Sequence, residues 1–205
     1  MSTAIDSDLL VLHGLAVKKA ASAEAVADVV GIDQAETERA LGSAKDAGRV
    51  LEARGMYMLT PAGRSWLDEQ YPSACAQLRS NPEYVGAYER FEVINREILD
   101  LFTRWQTVSV GGSSVPNDHT DEDYDNGIID ELGDVHERSV PVLDAFAAVD
   151  PRFSIYKERL ESAYDNVLGG EKNYVSGARI DSYHTVWFEL HEDILRMLGR
   201  QRRES

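Results

Sequence analysis

Five histidines, His13, His119, His136, His184 and His191, are the side chains of this sequence best suited to ligate a metal or move a proton near neutral pH. His184 and His191 stand seven positions apart, which sets both on one face of a helix, on either side of Trp187. If the helix bearing His136 adjoins that one, three imidazoles converge, with Asp134 or Asp181 as a carboxylate partner. The competing reading keeps each histidine at a core boundary, bonded locally, and on that reading no metal is expected. The string from His191 to Leu195 lacks the second histidine of a zincin helix. Asp121, Asp123 and Asp125 occupy the first, third and fifth places of a calcium loop, yet Asn126 stands where the loop must turn and Leu132 where a bidentate glutamate belongs. A solvated acidic helix start explains them more simply, since carboxylates are favoured at a helix N-terminus. Val110 to Ser114 has no P-loop lysine, no nucleophile elbow occurs, and Cys75 has no activating neighbour in sequence. The sequence therefore predicts neither an enzyme nor a bound cofactor.

The elements that must position these residues fall into two parts of different character. The chain has 205 residues, 36 acidic and 21 basic, and a formal net charge of −15. Through Arg79 it holds 11 acidic and 8 basic residues and three aromatics, Tyr57, Trp66 and Tyr71. The remainder is far more acidic and carries most of the aromatics. The break is placed at Ser80 to Tyr84, with Pro82 in a first helical turn. Expected domains are 1–75 and 80–205. The acidity counts against a protein that coats nucleic acid. No apolar run is long enough to cross a membrane, and the start lacks the basic flank and apolar stretch of a signal peptide, so a cytoplasmic protein without a membrane partner is expected.

In the first part, apolar spacing predicts a helix over Asp6 to Lys19, a second capped by Ser22 and ended near Gly31, and a third capped by Asp33 and running to Ala47. Thr37, Leu41 and Ala44 face inward on the third. Val50, Leu51 and Ala53 then pair with Met56, Met58 and Leu59 across an Arg54-Gly55 turn, and Thr60 with Pro61 starts a helix through Leu67. Three helices and a hairpin in this order resemble the DNA-binding domain of MarR-like winged-helix regulators. The resemblance rests on residues 40–64, ALGSAKDAGRVLEARGMYMLTPAGR, with their glycine, strand, wing and L-T-x-x-G pattern. It implies a third helix in the major groove and a wing on the backbone. Carried onto this chain, Arg39, Gln34 and Ser43 would face base edges or phosphates, with Lys18, Lys19, Lys45 and Arg54 on the backbone. Glu36, Glu38 and Asp46 stand beside them and would repel phosphate, which keeps open a winged helix used for protein contact instead.

The second part reads as helices from Pro82 to Gln106, from about Tyr124 with a kink or break at Pro141, from Pro151 to Gly169, and from Gly177 to Arg200. The stretch from Thr107 to about Asp123 reads as a loop. Apolar stripes and short links predict an antiparallel helical bundle, so the fold class expected is mainly α: a winged helix-turn-helix with a small β-hairpin, then the bundle. FadR-like regulators share this layout, and the resemblance is architectural only. Dense aromatics leave two readings: core packing, or a pocket for an aromatic or acyl effector lined by Tyr88, Trp105, Tyr156, Tyr183, His184 and Trp187. The function expected is a homodimeric transcription regulator bound to operator DNA, with a small-molecule effector as a further partner. Its rival is an interaction module whose winged helix docks on a protein.

Overall fold

A computed structural model describes residues 5–201 and is mainly helical. The order is α1 (Ser7–Lys18), β1 (Ala20–Ala21), α2 (Ala23–Val30), α3 (Gln34–Asp46), β2 (Val50–Ala53), β3 (Met56–Leu59), α4 (Pro61–Ala74), α5 (Ala76–Ser80) and α6 (Pro82–Gln106). There follow β4 (Thr107–Val110), β5 (Ser113–Pro116), α7 (Glu122–Val149), a 3-10 turn (Pro151–Phe153), α8 (Ser154–Leu168), α9 (Asn173–Ser176) and α10 (Tyr183–Leu198). No helix among the described residues is long and apolar enough to cross a membrane. Two compact units form: residues through Val85 together with those from Phe188 onward, and Gly86–Trp187 between them. The first unit thus takes in the end of the last helix, which the division at residue 80 assigned to the second part.

In the first unit, side-chain caps set the helix starts. Asp6 accepts from the amides of Asp8 and Leu9, Ser22 from Ala25, Asp33 from Ala35 and Glu36, and Thr60 from Gly63. Leu12 and Leu15 of α1, Val26 and Val30 of α2, and Leu41 and Ala44 of α3 are buried and make the core. Gly14 lets α1 approach α2, since a methyl there would collide with Val30. The strands form one antiparallel sheet in the order β1-β3-β2, with Leu51 opposite Met58, Ala53 opposite Met56 and Ala20 also opposite Met58. Arg54 and Gly55 both have positive φ, 54° and 77°, as a two-residue hairpin turn requires. The two-residue strand β1 was not visible in the sequence. Helix α4 runs through Leu67 to Ala74, and its own Tyr71 is buried.

The second unit departs from the sequence reading in three places. Thr107 to Pro116 is not loop: β4 and β5 pair through a Gly111-Gly112 turn whose φ values are 60° and 85°. Helix α7 is continuous across Pro141, because Val142, Leu143 and Phe146 beyond it bury and hold the next turn against the cost of one lost backbone bond. The last helix begins at Tyr183 rather than Gly177. Ser182 caps it by accepting from the amide of Thr185, and α9 with an irregular turn precedes it. The core here is Phe91, Ile98, Leu101, Leu132, Val135, Phe146, Tyr156, Leu160 and Trp187.

Candidate functional site

Helix α3 buries Thr37, Ala40, Leu41 and Ala44, and this stripe fixes what it presents. Gln34, Arg39, Ser43, Lys45 and Asp46 are all exposed, as expected. Their electrostatic condition was not legible beforehand. Arg39 is paired with Asp8 at 3.1 Å, Lys45 with Glu52 at 2.6 Å, and Lys18 with Glu189 at 2.9 Å. The Gln34 amide donates to Glu38 at 2.9 Å. Glu52, by its hydrogen bond, raises the Lys45 ammonium above its ordinary value, so the lysine is held charged on that partner. Arg49 stacks over the Trp66 ring at 4.5 Å, and Arg64 donates to the Leu59 carbonyl at 3.0 Å. Among the described residues of this region, Lys19 and Arg54 are the cations that have no partner.

A phosphate approaching this face would have to displace a carboxylate from each of Arg39 and Lys45. Such an exchange swaps one anion for another and forfeits most of the gain that counterion release gives to DNA binding. Asp33, Glu36, Glu38 and Asp46 on and beside α3 are exposed and add repulsion.

In the second unit, most of the aromatics proposed for an effector are core side chains. Tyr88, Trp105, Tyr156, Tyr183 and Trp187 are buried. Trp187 stacks on Phe91 with centroids 4.8 Å apart, donates its indole N–H to Asn95 at 3.0 Å, and lies 6.3 Å from the parallel ring of Tyr183. Tyr156 packs beside Phe153, and His184 meets Phe102 edge-on at 4.6 Å. Tyr183 and Trp187 are thus brought together, while Trp105 instead meets His119 at a tilt, with centroids 4.5 Å apart.

The three imidazoles considered for a metal have separate surroundings. His136 stacks on Tyr164 and hydrogen-bonds the Tyr183 hydroxyl at 3.2 Å, His184 packs on Phe102, and His191 is buried in the first unit. Burial lowers the His136 pKa, opposed by Glu161, Asp165 and Glu137. Among the described residues no three histidine, cysteine or carboxylate groups stand close enough to hold a metal.

Two clusters escaped the sequence reading. His13, fully buried on α1, faces Asp193 through Nε2 at 3.0 Å and the Tyr71 hydroxyl through Nδ1 at 2.9 Å. The Tyr71 hydroxyl and Nδ1 share a hydrogen bond, while Nε2 faces the carboxylate as a close polar contact without hydrogen-bond geometry. Burial pushes the Tyr71 phenol far above its usual range, against the pull of Arg196, so the hydroxyl keeps its proton. In the other cluster, the buried Asp125 receives Lys172 at 2.8 Å, His119 Nδ1 at 3.1 Å and the Asn117 amide at 3.1 Å. Burial raises its pKa, but the hydrogen bonds from Lys172, His119 and Asn117 outweigh that and leave the carboxyl below its ordinary value. Asp125 is therefore no calcium ligand in waiting. It anchors a loop in which His119 adopts a φ of 60°. The signals were present: Asp125 shares a helix face with Ile128 and Leu132, and His13 interrupts the apolar run LLVLHGLAV.

No protein-family model matches the chain, and no curated protein or solved structure is detectably similar to it.

Proposed function

We propose that the chain is a protein-interaction module, built on a winged helix whose α3 and hairpin contact a partner protein rather than DNA. Support for the winged helix comes from the element order α1-β1-α2-α3-β2-β3, the β1-β3-β2 sheet, and the MarR-like residues 40–64 that fall on α3, both hairpin strands and the start of α4. The observation that carries the choice of partner is the neutralised α3 face, with Arg39 and Lys45 each bound to a carboxylate. Local fields decide nucleic-acid affinity, and this one is acidic.

Operator binding by a dimer is the second reading. The observation in its favour is that α3 stands open to solvent along the side that a duplex would meet. A photo-cross-linking residue at Ser43, carried by the full chain in its own cells, separates the two. The interaction module predicts adducts to protein alone. A gel shift of the DNA upstream of its own gene at low salt, with or without cell metabolites, would instead establish the regulator.

A further inference from the structure

We propose that the solvent face of the three-stranded sheet is the docking surface, and that it takes a protein segment presenting apolar side chains flanked by carboxylates. This rests on the interaction-module reading above and names the partner's chemistry.

Cross-strand partners share a face of a sheet, so Leu51, Ala53, Met56, Met58 and Ala20 lie together on one side. The opposite side carries Val50, Leu59 and Ala21, all buried in the core. On the open side Leu51 is 60% exposed, Met56 42% and Met58 41%. Half of the large apolar side chains exposed among the described residues are thus gathered on a sheet of ten residues. A solvated sheet face is ordinarily polar, and long, flexible methionines are suited to moulding onto an incoming surface.

The charges around this face point to what covers it. Lys19 immediately precedes Ala20 and Arg54 immediately follows Ala53, one at either end of the apolar strip. They are the two unpartnered cations of this region, in a part of the chain where each other cation is engaged by a carboxylate, a carbonyl or an aromatic ring. Both also hold positive φ, 67° and 54°, a backbone state that non-glycine residues seldom adopt. Free cations bracketing an apolar strip complement a segment with apolar side chains inside and carboxylates outside. A second copy of the chain fits less well. Three large side chains fall well short of the roughly 800 Å² per partner of a stable interface, and a charge of −15 on each copy opposes self-association. A short segment bound reversibly needs neither a large area nor a neutral partner.

The test uses the full chain and two labelled synthetic peptides, one alternating leucine with glutamate and one alternating leucine with lysine, followed by fluorescence anisotropy. The glutamate peptide is expected to bind at least tenfold tighter than the lysine peptide. Leu51→Ser with Met58→Ser should weaken it at least tenfold at unchanged circular dichroism, and Lys19→Glu with Arg54→Glu should reverse the preference. Equal binding of both peptides, or no loss in the serine variant, overturns the surface. So does a dimer by sedimentation velocity that Leu51→Ser dissociates, because the occupant is then a second copy. Labelled duplex DNA in the same assay separates the two levels. Saturable DNA binding defeats the underlying reading, whereas peptide failure without DNA binding defeats only the surface proposed here.

Discussion

The imidazole of His13 and the carboxylate of Asp193 meet at 3.0 Å, with side-chain exposures of 0% and 1%. Tyr71 closes the same imidazole from its other nitrogen, so α1, α4 and α10 meet in polar contacts inside the first unit. Desolvating such groups is costly, and each bond offsets the penalty only while all its members stay in place.

Removing one member should therefore cost more than an average surface substitution. Tyr71→Phe keeps the ring and strands Nδ1 of His13, with an expected loss of about 1–3 kcal/mol. Asp193→Ala removes the carboxylate that faces the buried His13 ring and is expected to cost about 3–5 kcal/mol, as when one partner of a buried pair is lost. Urea denaturation of the two variants checks both values. Changes within about 0.5 kcal/mol, the range of surface positions, would contradict them.

Asp125 gives the chain an acid limb through the hydrogen bonds that hold its carboxylate ionised. Its folded pKa lies below the unfolded value of about 3.9, so its contribution is complete above that pH and is lost as pH falls through the folded value. Asp125→Asn should weaken the protein at neutral pH by about 1–3 kcal/mol, because Lys172 and His119 lose an ionised acceptor. The variant should also flatten the stability profile below pH 4. Chemical denaturation across that range checks the slope.

Two glycines predict opposite outcomes for the same change. A methyl at Gly63 would sit on the carbonyl oxygen of Arg49, where backbone has no room to yield, and Gly63→Ala is expected to cost about 1–3 kcal/mol. Gly42, on the outer side of α3, has open space and no positive φ, so Gly42→Ala should stabilise by about 0.5–1 kcal/mol. Thermal melts of the pair give the two signs directly.

What could be read in advance was local. Ser22, Asp33 and Thr60 announce helix starts through their own chemistry, and Arg54-Gly55 between alternating apolar residues announces a hairpin. The hairpin at Thr107–Pro116 was hidden because its strands are four residues each, rich in serine, and largely exposed, so no burial pattern marks them. Pro141 suggested a break because propensity carries no knowledge of the packing that holds α7 together beyond it. The apolar stripe from Ile180 to Leu198 is continuous in sequence and cannot reveal that residues from Phe188 onward belong with the first unit. The candidate interface failed to read for a related reason. Arg39 and Asp8, and Lys45 and Glu52, are pairs made by the fold, and a tally of cations on α3 sees only half of each.

The direct measurement of this account is anisotropy of labelled duplex DNA, both random-sequence and from upstream of the gene, titrated with the full chain at about 50 mM salt, where phosphate contacts are strongest. Neutralised cations on α3 predict no saturable binding to either duplex. Saturable binding that falls steeply with added salt and is lost in Arg39→Ala would contradict the account and restore α3 as a reader of DNA.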